Sequence, residues 1–384
     1  MKKILLFFSF SFLIISKVYA IDITEYSGSA ILIESTTGKV LYEKDADIER
    51  APASMTKIMS MILIMDAVKN ETLSLEEKVT ISENASSMGG SQVYLNTGES
   101  YKAKELLKSI AIASANDAVV AMGERVAGTI EKFVEMMNEK CSEIGCTHTN
   151  FVNPHGLDAE GHFSSARDMS LMGNYLIKNY PEILEYTSTY EDYLKRPDGS
   201  ETWLVNTNKL VRFYDDVDGL KTGFTTTAGY NLTSTAKKNN MRLIGVVMGV
   251  DTPDNRTSDT VKMLNYGFNT YKLSTIFEKN KVIDEVRVEK GKNESVKIIL
   301  MEDATELLNI NDKSKKYTIN VKLDKLIAPI KKGEKIGVAE IIDNDGNIIT
   351  NINITVDKDV KKANLWDYFK RNLSTNISGK SVIN

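Results

Sequence analysis

Ser54 and Lys57 stand at the start of a nearly all-apolar segment, residues 55–68, which has the composition of a buried helix. Residues three apart lie on one face of a helix, so this hydroxyl and this amine are one turn apart. Burial lowers the pKa of a lysine, and a neutral amine can take the proton of a neighbouring serine. The pair therefore predicts a serine nucleophile with a lysine base. The S-x-x-K pattern is common by chance, so the prediction depends on further residues.

Two more motifs supply the other groups that acyl transfer needs. Ser114 and Asn116 lie in a break between two apolar helical segments, and Lys221 begins a K-T-G triplet at the end of a predicted strand. The charge of Lys221 would favour the neutral form of the base and attract an anionic substrate end. The Ser114 hydroxyl would bridge the two lysines and pass a proton to the leaving nitrogen. Asn116 would orient the base and donate to a substrate amide.

The remaining substrate-binding residues follow from the same chemistry. The Thr222 hydroxyl suits a terminal carboxylate, and Gly223 would let a substrate backbone lie close along the strand. The backbone N–H groups of Ser54 and Phe224 are the expected donors to an oxyanion. These residues together predict acyl transfer with a covalent intermediate.

The order S-x-x-K, S-x-N, K-T-G resembles the motif set of the penicillin-recognising serine enzymes. Longer stretches are similar to the D-alanyl-D-alanine carboxypeptidases, the low-molecular-mass penicillin-binding proteins of peptidase group S11. These stretches are RAPASMTK at 50–57, NPHGLD at 153–158, SARDM at 165–169, VDGLKTGFT at 217–225 and AGYNL at 228–232. The resemblance implies cleavage between the last two D-alanines of the peptidoglycan stem pentapeptide, with β-lactams as covalent inhibitors.

Two positions depart from that family pattern. Phe224 stands where some members have a histidine, which keeps the N–H donor but removes any role of a histidine side chain. Thr207 stands where some members have an arginine. Carboxylate binding would then depend more on Thr222 and on Arg256, which follows a strand as a family arginine does.

The periodicity of the chain predicts an α+β catalytic domain over residues 21–275, of the penicillin-binding/β-lactamase-like transpeptidase type. A hairpin at its start and strands near its end would form one antiparallel sheet, with a layer of helices between them in sequence. Predicted strands cover 29–34, 40–42, 217–222, 230–237 and 242–250. Predicted helices cover 54–68, 103–112, 115–126, 130–144, 166–178 and 259–271.

Residues 276–360 predict a small all-β sandwich domain with a structural or spacing role. Its strands are expected at 282–288, 295–300, 317–323, 335–342 and 348–356. The tail, residues 361–384, carries Leu365, Trp366, Phe369 and Leu373 at helical spacing beside basic residues. Such a helix can lie on an anionic membrane surface. A frayed terminal helix packed on the β domain is the alternative.

The first twenty residues have the layout of a secretory signal peptide: Lys2 and Lys3, an apolar run at 4–15, and small residues before Ile21. They predict export to the cell wall or the outer face of the cytoplasmic membrane, and a retained membrane anchor is the alternative. The chain has a net charge of −4, although residues from Tyr271 onward carry 21 Lys and Arg against 17 Asp and Glu. The catalytic domain is therefore acidic, which argues against nucleic acid as a partner.

Cysteine and histidine residues add no predicted cofactor or metal site. Cys141 falls on an apolar helical face, so a packed thiol is expected, and a local disulfide with Cys146 after Gly145 is the alternative. The three histidines, His148, His155 and His162, recur at intervals of seven but form no H-E-x-x-H pattern.

Three other functions share these residues. A β-lactamase of class A would add a Glu-x-x-Leu-Asn motif, and no such pentapeptide is present. A DD-transpeptidase would pass the same acyl group to an amine instead of water. A catalytically silent wall-binding protein is the alternative from a different class, and it would be free to lose a catalytic residue.

Overall fold

The structure of the chain, a computed structural model, describes residues 22–312 and 315–370. Its first domain contains a five-stranded antiparallel sheet in the order β2-β1-β9-β8-β7. The strands of the two domains are β1 Ser29–Glu34, β2 Val40–Lys44, β3 Lys78–Thr80, β4 Ser100–Lys102, β5 Glu191–Lys195, β6 Glu201–Val205, β7 Val217–Thr225, β8 Gly229–Lys238, β9 Met241–Val250, β10 Tyr271–Phe277, β11 Val282–Arg287, β12 Ser295–Leu300, β13 Ala304–Asn309, β14 Tyr317–Leu323, β15 Gly337–Asp343 and β16 Ile348–Val356. Both ends of the first domain thus contribute to one sheet, as the sequence predicted.

Helices cover both faces of this sheet. They are α1 Lys57–Lys69, α2 Glu83–Ser86, α3 Ala103–Ala113, α4 Asn116–Ala127, α5 Ile130–Ile144, α6 Ala166–Asn179, α7 Leu184–Thr187, α8 Leu210–Phe213 and α9 Pro253–Thr270. On one face α1 is apolar on every side and is buried among α4, α5 and α6. On the other face α9 packs through Met263 and Leu264 against β8 and β9. The sheet is therefore the middle layer, and the start of α1 lies beside β7.

Side-chain caps define several helix starts. The Ser165 hydroxyl accepts a hydrogen bond from the Asp168 N–H at the start of α6, and Thr129 does the same for α5. Thr252 caps α9, and Pro253 occupies its first turn, where no N–H is needed. This cap places the start of α9 at Pro253, six residues before the predicted start at Asp259.

The cysteine prediction was wrong. Cys141 and Cys146 form a disulfide, with their Cα atoms 5.2 Å apart. Cys141 does face the core and lies against Met172, as its position on the apolar face indicated. However, Gly145 ends α5 in a left-handed conformation, with φ +98°, and turns the chain back so that Cys146 meets Cys141.

The second domain is all-β, as predicted. A five-stranded antiparallel sheet has the order β11-β12-β16-β15-β14, and β10 pairs with β13. Its own core contains Ile298, Ile341 and Ile354, all fully buried. The two-stranded sheet β3–β4, the hairpin β5–β6 and the strands β10 and β13 were not predicted from the sequence.

The last described residues leave an apolar surface uncovered. Residues 365–370 are helical, and Leu365 and Trp366 are 88 % and 70 % exposed. Leu373 and the rest of the predicted tail, like the predicted signal peptide, lie outside the described residues. Among the residues that the structure describes, no helix has the length and apolarity that crossing a membrane requires.

Candidate active site

Ser54 and Lys57 lie together at the point where a short 3-10 helix, Ala53–Thr56, runs into α1. The Lys57 Nζ is 3.0 Å from the Ser54 Oγ and 2.7 Å from the backbone oxygen of His155. Lys57 is fully buried, whereas Ser54 is partly exposed. A neutral amine has two N–H groups and one lone pair, so it can donate to His155 and still accept a proton from Ser54. The serine is open to a substrate and its base is not.

The environment of Lys57 favours the neutral amine. Burial is the largest cause that lowers its pKa well below the ordinary value, and the nearby charge of Lys221 lowers the pKa further. The carboxylate of Asp117 acts in the opposite direction. That carboxylate is held at the start of α4 by the N–H groups of Val93 and Leu95. The two effects that lower the pKa prevail, so the neutral amine of Lys57, the form that can act as a base, is favoured.

Lys221 and Arg256 are two buried basic residues that lie close to each other, and Lys221 also acts on Lys57. Burial and the neighbouring Arg256 lower the pKa of Lys221 to about 7. Burial also lowers the pKa of Arg256, and its Nε has no hydrogen-bond partner. Neither residue forms an ion pair with a carboxylate within the described part of the chain. Two unpaired buried cations create a site that an anionic group would stabilise.

Ser114 lies between α3 and α4, where the chain takes a left-handed turn with φ +63°, and Asn116 is the first residue of α4. The Ser114 Oγ is buried and has no hydrogen-bond partner, so the bridge to the two lysines expected from the sequence is not formed here. Asn116 donates through Nδ2 to the Gly89 oxygen at 2.7 Å, and its Oδ1 has no partner. Buried polar atoms are rarely left unpaired, and these two adjoin the nucleophile's helix.

The K-T-G residues lie on β7, the edge strand beside the start of α1. The Thr222 hydroxyl donates to the Thr207 hydroxyl at 2.7 Å, so the residue that replaces a family arginine holds this threonine. A Cβ at Gly223 would lie 2.6 Å from the Pro52 oxygen. Glycine is therefore needed here to let β7 approach the serine turn, which is a more immediate reason than the predicted approach of substrate. Phe224 is 53 % exposed and stacks on Tyr230 with ring centres 4.3 Å apart.

The loop at residues 153–158 contributes contacts that were not predicted. His155 supplies the backbone oxygen for Lys57, and a Cβ at Gly156 would lie 1.9 Å from the Ala53 oxygen. His162, in the same region, accepts from the Val152 N–H through Nδ1, so its Nε2 carries the proton toward the Thr56 hydroxyl. The only sequence signal for this loop was its similarity to a family motif. Every residue has a backbone oxygen, so the residue type at position 155 does not indicate this contact.

Two family models and several curated proteins are similar to this chain. A sequence model of the D-alanyl-D-alanine carboxypeptidase family, Peptidase S11, matches residues 17–252, and one of the penicillin-binding protein 5 C-terminal domain matches residues 271–362. D-alanyl-D-alanine carboxypeptidase DacF of Bacillus subtilis is 44% identical over 92% of this chain and 90% of its own length. DacC of Escherichia coli is 33% identical over 88% of this chain and 86% of its own length.

Solved structures are similar to the whole chain or to a part of it. Penicillin-binding protein 5 from Haemophilus influenzae superposes with a TM-score of 0.71 and 32% identity, over 88% of this chain and 98% of that one. Penicillin-binding protein D2 from Listeria monocytogenes, in its ampicillin-bound form, has a TM-score of 0.58 and 32% identity, over 63% of this chain and 98% of that one.

The chain belongs to the Peptidase S11 family of D-alanyl-D-alanine carboxypeptidases. It is a serine-type D-Ala-D-Ala carboxypeptidase that removes the terminal D-alanine of peptidoglycan stem pentapeptides through an acyl-enzyme, and β-lactams inhibit it.

Proposed function

We propose that Ser54 is the nucleophile of this carboxypeptidase and that Lys57 is its base. The supporting observation is the 3.0 Å contact between the Lys57 Nζ and the Ser54 Oγ, with the amine fully buried and its pKa lowered. Ser54 attacks the carbonyl of the penultimate D-alanine while its proton moves to Lys57. The backbone N–H groups of Ser54 and Phe224 stabilise the oxyanion that forms.

The second part of the proposal is carboxylate binding. When substrate binds, the Thr222 hydroxyl turns its proton from Thr207 to the terminal carboxylate, and Lys221 and Arg256 supply the positive charge. This assignment is supported by the unpaired Arg256 Nε and by the absence of a carboxylate partner for either cation in the described residues. Gly223 keeps β7 close to the serine turn, so that the carboxylate and the attacked carbonyl are held by adjacent residues of one strand.

Ser114 and Asn116 act on the leaving group and the substrate amide. The Ser114 hydroxyl passes the proton from Lys57 to the departing D-alanine nitrogen, after which the C–N bond breaks and Ser54 carries the acyl group. Asn116 contacts the amide on the acyl side. Water then attacks the ester with Lys57 as the base, the acyl–oxygen bond breaks, and Ser54 regains its proton. The unpartnered Ser114 Oγ and Asn116 Oδ1 support these roles.

Release of D-alanine from a diacetyl-Lys-D-Ala-D-Ala peptide tests the nucleophile. Ser54→Ala should lower release at least about a thousandfold, because no covalent intermediate can form. Ser60→Ala is the matched control, since Ser60 lies on α1 and its hydroxyl donates to the Pro154 oxygen instead of contacting Lys57. It should retain most of the activity. Release by Ser54→Ala at the wild-type rate would refute the assignment.

The proposal extends to where the enzyme works. Residues 1–20 act as an export signal, residues 21–275 form the catalytic domain, and residues 276–360 form the β domain. The enzyme then acts in the cell wall or at the outer face of the cytoplasmic membrane, where its substrate lies. The tail from Lys361 onward contacts the membrane surface, which is supported by the exposure of Leu365 and Trp366 beside Lys361 and Lys362.

A further inference from the structure

Asp158 lies at the end of β7, beyond the residues assigned to catalysis. Its Oδ1 accepts a hydrogen bond of 2.8 Å from the hydroxyl of Thr225, the last residue of that strand. The Thr225 hydroxyl oxygen also accepts a hydrogen bond from the Ala228 N–H at 3.0 Å. The hydroxyl proton therefore points away from Ala228 and toward Asp158. Asp158 is exposed, and no described residue forms an ion pair with it. An oriented carboxylate therefore faces solvent beside the active site.

The register of a substrate on β7 determines what lies next to Asp158. This strand is at the end of the sheet, so its outer edge can pair with an extended peptide. If the Phe224 N–H donates to the scissile carbonyl, the residue that carries this carbonyl pairs with Phe224 in an antiparallel arrangement. The residue before it then lies opposite Thr225, and the departing D-alanine lies toward Thr222.

Side chains that are directly opposite in an antiparallel pair point to the same face of the sheet. At Thr225 this is the face on which Asp158 is held, because the threonine hydroxyl contacts its carboxylate. Opposite residues in a pair without mutual hydrogen bonds have Cα atoms about 4.5 Å apart. A long substrate side chain that starts there and ends in a cation can therefore meet the Asp158 carboxylate.

We infer that Asp158 binds the free side-chain amine of a diamino acid that directly precedes D-Ala-D-Ala in the substrate, and so determines specificity on the acyl side. This inference rests on the proposed register, in which Ser54 and Phe224 hold the scissile carbonyl. Asp158 touches no reacting atom, so its removal changes the choice of substrate and leaves the chemistry unchanged. Acetylation of the amine abolishes the interaction, since the side chain is then neutral.

Two peptides and three proteins test the inference. The peptides are Nα-acetyl-Lys-D-Ala-D-Ala, with a free ε-amine, and its Nα,Nε-diacetyl form, which is neutral. Wild-type protein should show a kcat/KM about three- to fivefold higher for the free amine at low salt, as expected for an exposed ion pair. Asp158→Asn keeps an acceptor for Thr225 and should lose this preference, with its kcat/KM for the diacetyl peptide unchanged. Glu160→Gln, an exposed acid two residues away, should retain the preference.

The outcomes separate this inference from the proposed catalytic roles. A wild-type protein that is labelled by a fluorescent penicillin at Ser54 but shows no preference would overturn the role of Asp158 and leave the catalytic proposal intact. A preference that persists in Asp158→Asn would also overturn it. If wild-type protein is neither labelled nor active, the catalytic proposal fails, and the register argument fails with it. Loss of the preference in Asp158→Asn alone, with normal labelling, supports the inference.

Discussion

At the scale of single residues, the site depends on two buried lysines with different roles. Burial lowers the pKa of both, but one is assigned as the base and the other as a cation that binds substrate. Burial and the charge of Lys221 lower the pKa of Lys57, and its Nζ is 3.0 Å from the Ser54 Oγ, so it is assigned as the neutral base. Lys221 has a pKa of about 7 and lies beside Arg256. The charge of Lys221 lowers the pKa of Lys57, which favours a neutral base beside a cation. One neutral amine and one cation are what acyl transfer to an anionic substrate requires.

The charge of Lys221 predicts the alkaline limb of the pH profile. A pKa of about 7 means that Lys221 loses its proton as the pH rises, so kcat/KM for an anionic peptide should fall above neutrality. Lys221→Arg keeps a positive charge at high pH and should move the alkaline limb upward by at least about two units. The measurement is kcat/KM between pH 5 and pH 10.

Lys221→Met is the control for that experiment, because it removes the charge at every pH. It should be weakly active throughout and lack the alkaline limb. An unchanged alkaline midpoint in Lys221→Arg would assign that limb to another group.

Much of this site could be predicted from residue types. Ser54, Lys57, Ser114 and Lys221 are recognisable because each carries a functional group at a family spacing, and the structure brings Lys57 within 3.0 Å of Ser54. The contact of Lys57 with the His155 oxygen could not be predicted, since any residue supplies a backbone carbonyl. The role of Thr207 also depends on a tertiary contact with Thr222.

At the scale of elements, the nucleophile's turn is held between two glycines. Gly156 approaches the Ala53 oxygen from the loop at residues 153–158, and Gly223 approaches the Pro52 oxygen from β7. Neither position has room for a Cβ. The 3-10 helix Ala53–Thr56 is thus held on two sides by backbone, which fixes where Ser54 points.

Gly156→Ala tests this arrangement. Its φ of +91° disfavours an L side chain, and the new Cβ would lie 1.9 Å from the Ala53 oxygen, so backbone must move. The free energy of unfolding should fall by more than about 2 kcal/mol. Acylation by a fluorescent penicillin should slow at least about tenfold, because the serine and its base lose their alignment. Denaturant titration and labelling rates measure the two effects.

Gly161→Ala is the control that separates the effect of a steric clash from the effect of an unfavourable φ angle. It has a similar φ of +77°, but its nearest neighbour would be 3.7 Å from the new Cβ. Only the conformational cost applies, about 1 kcal/mol, and the labelling rate should be unchanged. Equal losses in the two variants would show that Gly156 matters only for its φ angle.

Strong periodicity determined which elements could be predicted. Apart from α9, the long helices and the central strands were correctly placed because apolar residues recur along a whole buried face. The hairpin β5–β6 escaped prediction because each strand has a single buried residue, Leu194 or Leu204, and the other residues are exposed or only partly buried. The start of α9 was placed too late because its first turns are polar, although Thr252 and Pro253 are an N-terminal signal.

At the scale of the whole molecule, the residues assigned to catalysis and the proposed membrane contact lie in different domains of the chain. The first domain holds every residue assigned to chemistry, and the second domain has a separate all-β core. The sequence predicted this division from its change of pattern near residue 275. The exposure of the terminal helix could not be predicted, since the same amphipathic spacing suits a helix packed on the β domain.

Binding to lipid vesicles tests the proposed membrane contact of this helix. Protein that begins at Ile21 should sediment with vesicles containing phosphatidylglycerol and much less with pure phosphatidylcholine, because the tail is basic. Trp366→Ser should lower the partition coefficient about tenfold, since a 70 % exposed indole loses its burial in the interface. Phe213→Ser is the matched control, because Phe213 in the catalytic domain is 71 % exposed and should not affect binding. Equal loss in both variants, or none in Trp366→Ser, would refute membrane contact through this helix.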